Sequence, residues 1–90
     1  MEFLKIKDYW TYQLPEWDNY YKEDIEDILN SMYSITILDY AMEGDVDVWT
    51  IRYRDCDFIL VNDLVYGCEI RAPKEEDLPQ MEQLIKSLDI

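Results

Sequence analysis

Apolar and polar positions change period three times along this chain, and each change marks an element. From Phe3 to Leu14 they alternate. Leu4, Ile6, Trp10, Tyr12 and Leu14 share one parity, while Lys5, Lys7, Tyr9, Thr11 and Gln13 share the other, which predicts a half-buried strand ended by Pro15. Asp8 falls on the apolar parity, so a bulge or break is expected there. From Asp18 to Met32 the period becomes helical, with Trp17, Tyr21, Ile25, Ile28, Leu29 and Met32 on one stripe. Asp18 is placed to cap this helix, its carboxylate accepting from the first free N–H groups.

Beyond the helix the period returns to two. Strands are expected at Ser34–Met42, Val46–Arg54, Phe58–Val61 and Val65–Ala72. The turns between them fall at Glu43-Gly44-Asp45, Asp55-Cys56-Asp57 and Asn62-Asp63. After Pro73 a second amphipathic helix carries Leu78, Met81, Leu84, Ile85 and Leu88 on its apolar stripe, and Asp77 and Gln80 are spaced as a capping box. Pro79 is tolerable in the first turn. Short turns imply hairpins, hence an antiparallel sheet. The expected fold is an α+β two-layer sandwich with order β-α-β-β-β-β-α. Two helices cover one face of a sheet of about five strands, and residues 1–90 form one domain. The other face, with Val48, Thr50 and Arg52, is partly solvated.

Charge narrows the function classes. The 90 residues include 21 acidic and 8 basic side chains, for a net charge of -13. Direct nucleic-acid binding needs clustered Lys and Arg, and adhesion to anionic membranes needs a basic patch, so both are excluded as expectations. A protein partner with a basic surface is favoured by long-range attraction. The sequence shows neither an apolar run long enough to span a membrane nor a signal-peptide pattern, which places the protein in the cytoplasm. Cys56 and Cys68 are read as reduced thiols there. If the hairpin between them turned at Asn62-Asp63 they would fall nearly opposite each other, within disulfide reach.

Candidate chemistry is sparse. There is no histidine, which removes the commonest general base, the commonest metal ligand and every Ser-His or Cys-His pair. Two isolated glycines cannot build a phosphate loop. Glu43, Asp45 and Asp47 crowd one turn without the order of a calcium loop, and Asp55 and Asp57 flank Cys56 in a way that suppresses its thiolate. No cofactor, metal or catalytic residue is expected.

The first helix offers the best interaction surface. Glu23/Asp27, Glu23/Glu26 and Asp24/Asp27 are like-charge pairs at helical spacing, each weakening the helix by roughly 0.2–0.5 kcal/mol. Tyr20, Glu23, Asp24 and Asp27 are therefore the candidate partner-binding residues. The expected function is a non-enzymatic interaction module or inhibitor, of immunity or DNA-mimic type. The alternative is an accessory domain acting as a homodimer or complex subunit through aromatic residues on the open sheet face.

Overall fold

In the computed structural model, which describes residues 1–88, the chain forms an α+β sandwich of one antiparallel sheet and two helices. Strands β1 (Leu4–Ile6), β2 (Tyr9–Gln13), β3 (Ile35–Glu43), β4 (Val46–Tyr53), β5 (Cys56–Asp63) and β6 (Gly67–Ala72) lie in the order β1-β2-β6-β5-β4-β3. Helices α1 (Lys22–Ser31) and α2 (Leu78–Leu88) each follow a short 3-10 turn, at Pro15–Trp17 and Glu75–Asp77.

The sheet has six strands because the N-terminal alternating segment is a hairpin rather than one strand. Asp8, on the wrong parity for a continuous strand, sits with Lys7 in the loop, and Lys7 takes a left-handed φ of 57°. Ile6 then faces Tyr9, and the chain folds back on itself. β2 closes the sheet by pairing with β6, Tyr12 opposite Ile70 and Trp10 opposite Ala72.

The meander from β3 to β6 sets which side chains face the helices. Trp49 pairs with Leu60, Ile51 with Phe58 and Leu60 with Ile70, so alternate residues of four strands share one face. On that face Trp49, Ile51, Phe58, Leu60, Ile70 and Ala72 are fully buried against Ile25 and Leu29 of α1 and Met81, Leu84, Ile85 and Leu88 of α2. Trp17 joins this core from the 3-10 turn. β3 carries an irregularity between Ile37 and Asp39 that leaves Leu38 unpaired.

The open face behaves differently. Val48, Thr50 and Ile59 are only partly accessible there and Val61 is buried. The Arg71–Glu69 and Arg52–Asp57 ion pairs stand on the same face. Trp10, Tyr12, Tyr40, Trp49 and Tyr53 all turn toward the helix layer, while Tyr9 lies on the open face beneath the Arg71 guanidinium, beside exposed Leu4 and Ile6.

Several local expectations are corrected. The first helix begins at Lys22 rather than Asp18, with Tyr21 as its N-cap, because Pro15–Trp17 forms its own 3-10 turn closed by Asp18 N–H to the Pro15 carbonyl. Asp18 instead sits beneath the β5–β6 connection, where its Oδ1 accepts from the Cys68 N–H at 3.4 Å. That connection spans Leu64–Tyr66, not Asn62-Asp63. Asn62 therefore pairs with Cys68, and Cys56 lies six residues farther along β5, about 20 Å away by strand rise. The cysteines are free and out of disulfide reach. The Asp77–Gln80 box does not form: Gln80 Oε1 is buried without a partner, the Asp77 N–H donates to the Lys74 carbonyl at 3.1 Å, and Asp77 lines a groove with Cys56.

Candidate functional site

Three chain segments meet at one end of the sheet: the start of α1, the β3–β4 turn and the β5–β6 turn. The antiparallel meander puts both turns at the same end, since β3–β4 turns at Gly44-Asp45 and β5 finishes beside β4, Asp63 opposite Val46. The start of α1 is fixed above them by side-chain bonds. The Asn62 amide donates to the Tyr20 carbonyl at 3.1 Å, and the Trp49 indole N–H donates to Glu26 Oε2 at 3.2 Å. Asp63 Oδ1 accepts from the Val65 and Tyr66 N–H groups at 2.8 and 3.2 Å, holding the β5–β6 turn in an Asx-type bend.

This end exposes large apolar side chains. Tyr21 is 70% exposed, Met42 70%, Leu64 68%, Val65 77% and Tyr66 83%. Tyr21, Met42 and Leu64 line one groove together with Lys22, Glu23, Asp45, Asp47 and Asn62. The acidic clusters 23–27 and 43–47, distant in sequence, thus come together. The Tyr40 hydroxyl reports this: its pKa is pushed up to about 12, first by its hydrogen bond to Asp47, then by burial and by the charges of Asp47, Glu26 and Glu23. Lys22 sits over the Tyr40 ring at 4.4 Å.

No ion pair among the described residues uses a carboxylate of this end. The pairs found are Met1–Glu82, Arg52–Asp57, Arg71–Glu69 and Lys86–Glu82. Clusters 55–57 and 75–77 merge at the opposite end of the sheet, where Asp55, Asp57 and Asp77 share a groove with Arg52 and Lys74. Charge there is mixed, and Arg52 holds the Asp57 carboxyl below the ordinary range. β4 separates the two ends by about 25 Å. Cys56 at that second end has its thiol pushed up by burial and then by Asp77, so its nucleophilic form is suppressed.

The four residues singled out from sequence do not share one surface. Glu23 lines the groove, and Asp27, one turn on, is exposed on the same flank of α1. Asp24 accepts from the Tyr21 N–H at 2.8 Å and helps cap the helix. Tyr20 rests on Trp17, ring centroids 5.7 Å apart, and lines a separate groove with Ile28 and Met32. Tyr21, Met42, Leu64, Val65 and Tyr66 escaped the sequence reading. Their one visible signal is Leu-Val-Tyr placed directly after the Asn62-Asp63 turn signal, where polar residues are the norm.

Among the described residues no three Cys, Asp or Glu side chains converge closely enough to hold a metal ion, and no helix is long and apolar enough to cross a membrane. No family model matches the chain, and no curated protein or solved structure matches it either.

Proposed function

We propose that this protein is a non-enzymatic interaction module that binds a basic surface of a partner protein, in the manner of a small inhibitor or nucleic-acid mimic. One observation carries the reading. The end built from α1, the β3–β4 turn and the β5–β6 turn combines exposed Tyr21, Met42, Leu64, Val65 and Tyr66 with carboxylates that no internal cation neutralises. Exposed apolar groups in a contiguous zone mark interaction surfaces, and free carboxylates select a cationic complement and speed encounter. The lack of histidine in the chain agrees with a role without acid–base chemistry. A reducing, cytoplasmic setting suits the two free thiols.

The test is site-specific photo-crosslinking in the native host, with a photoreactive phenylalanine analogue replacing Tyr66 or, as a control, Lys86 on α2. The expected product at position 66 is a heterodimer with a basic protein, lost when the salt is raised from about 50 to about 500 mM before irradiation. A self-crosslinked dimer would support the accessory homodimer instead. Equal yields from both positions, or a salt-insensitive product, would reject the proposal.

A further inference from the structure

The groove itself indicates what part of a partner it takes. Its apolar lining comes from Tyr21, Met42 and Leu64, and Glu23, Asp45 and Asp47 line the same groove. Lys22 also lines it but is engaged over the Tyr40 ring. The groove measures about 290 Å³, at the lower edge of the range for small-molecule pockets.

We infer that this groove receives an apolar side chain from a Lys/Arg-rich segment of the partner protein, with Tyr21, Met42 and Leu64 gripping the apolar side chain and Glu23, Asp45 and Asp47 meeting the cations beside it. The inference rests on the interaction reading above and assigns its contact site. Charge complementarity selects the occupant. A purely apolar segment would cover Glu23 and Asp45 without pairing them, and burial of an unpaired charge is strongly disfavoured. A second copy of this chain carries the same net charge of -13 and would add carboxylate to carboxylate. A purely cationic strand would leave the apolar lining wet and forgo the burial that anchors hot spots. Met42 suits an unbranched or branched guest alike, because its thioether chain adapts to shape.

Three synthetic peptides of equal length provide the probes: an amphipathic Leu/Lys helix, a Lys/Gln peptide of the same charge, and a neutral Leu/Gln helix. Binding is read by fluorescence anisotropy at low salt, and contacts are mapped by amide chemical shifts. The Leu/Lys peptide is expected to bind most tightly and to shift residues 21–23, 42–45 and 64. The double variant Met42→Ser, Leu64→Ser should weaken it about tenfold and leave the Lys/Gln peptide unchanged. Glu23→Gln with Asp45→Asn should weaken both cationic peptides. Tyr33→Ser, an exposed aromatic elsewhere, should change neither. All substituted side chains are exposed, and circular dichroism checks that each variant folds. If Met42→Ser, Leu64→Ser leaves Leu/Lys binding within about twofold while the carboxylate variant still weakens it, the groove assignment is overturned and the acidic-module reading survives. If the Leu/Gln helix binds as tightly as Leu/Lys, the site is a plain apolar one and the assignment is likewise overturned. If neither cationic peptide binds, both readings fall.

Discussion

Gly44 and Gly67 both hold positive φ, but for different physical reasons. At Gly44, φ is 62° and an added Cβ would meet nothing within 4 Å, so only backbone strain opposes a side chain. At Gly67, φ is 90° and a Cβ would lie 2.5 Å from Asp18 Oδ1. Gly44→Ala should therefore destabilise by about 1 kcal/mol and Gly67→Ala by about 2–3 kcal/mol, as read from urea midpoints. In an Asp18→Ala background the steric part at position 67 should disappear, and a double-mutant cycle would register that coupling. Tyr40 gives a second residue-scale expectation. Its pKa of about 12 lies above the ordinary 10.0 because Asp47 holds the hydroxyl proton. The neutral phenol is favoured in the folded state, so its contribution to stability is complete below pH 10 and is lost as pH rises through about 12. Ultraviolet titration should show Tyr40 ionising late, and Asp47→Ala should bring it back toward 10.0. The thiols follow the same logic. Burial, then the charges of Asp18 and Glu69, push Cys68 up to about 12, so a disulfide reagent should label Cys56 slowly and Cys68 only on unfolding. None of these contacts was readable from the sequence: Asp18 reaches Gly67 and Cys68 only because the Pro15–Trp17 turn packs on β6, and Tyr40 meets Asp47 only in the β3–β4 register.

At the scale of elements, periodicity carried far; of the sheet's expected turns, the one at Glu43-Gly44-Asp45 holds, with Gly44 at positive φ, whereas β4–β5 turns at Arg54-Asp55 rather than Asp55-Cys56-Asp57. Both helices, the antiparallel meander and the helix-covered face follow from spacing alone. Asp8 announced a break, and a hairpin resulted because Lys7 could take the left-handed turn. The β5–β6 turn was misplaced because Asn62 and Asp63 look like turn residues, whereas Asn62 is 3% exposed, inside β5, with its amide bonded to Tyr20. The following Leu-Val-Tyr resembles a strand and is instead the turn. This is where structure and local preference part, and it coincides with the candidate site. The like charges of the first helix also look different once its start moves to Lys22. Glu23 and Asp24 now occupy the first turn, where the helix dipole favours them. Asp24→Ala should then weaken the fold by about 0.5–2 kcal/mol in thermal unfolding, while Asp27→Ala should be neutral within about 0.5 kcal/mol. The β4–β5 turn offers the converse. Arg54 and Asp55 both have positive φ, at 52° and 63°. Asp55→Gly supplies the residue that a two-residue primed turn prefers and should stabilise the chain by up to about 1 kcal/mol, again read from the urea midpoint.

At the scale of the whole molecule, charge is sorted rather than spread. One end of the sheet is acidic and exposes Tyr21, Met42, Leu64, Val65 and Tyr66, the far end is mixed, and the open face is held by its own ion pairs. Unpaired like charges repel, so neutralising Glu23, Glu43 and Asp45 together should raise the melting temperature at low salt, with the gain shrinking as salt screens the repulsion. The same triple variant should lose the crosslink at position 66. A gain in stability accompanied by a loss of binding is the signature of charge kept for recognition. The sequence showed the amount of charge but not its sorting, since clusters 23–27 and 43–47 meet only through the packing of α1 on β3. The outer strands of this sheet bear on what such a protein can tolerate. β1 is three residues long and β3 is interrupted at Leu38, so neither border offers a long, regular template for strand addition. With both borders blunted, the chain can display an adhesive tip at high concentration without adding strand to strand into a growing sheet.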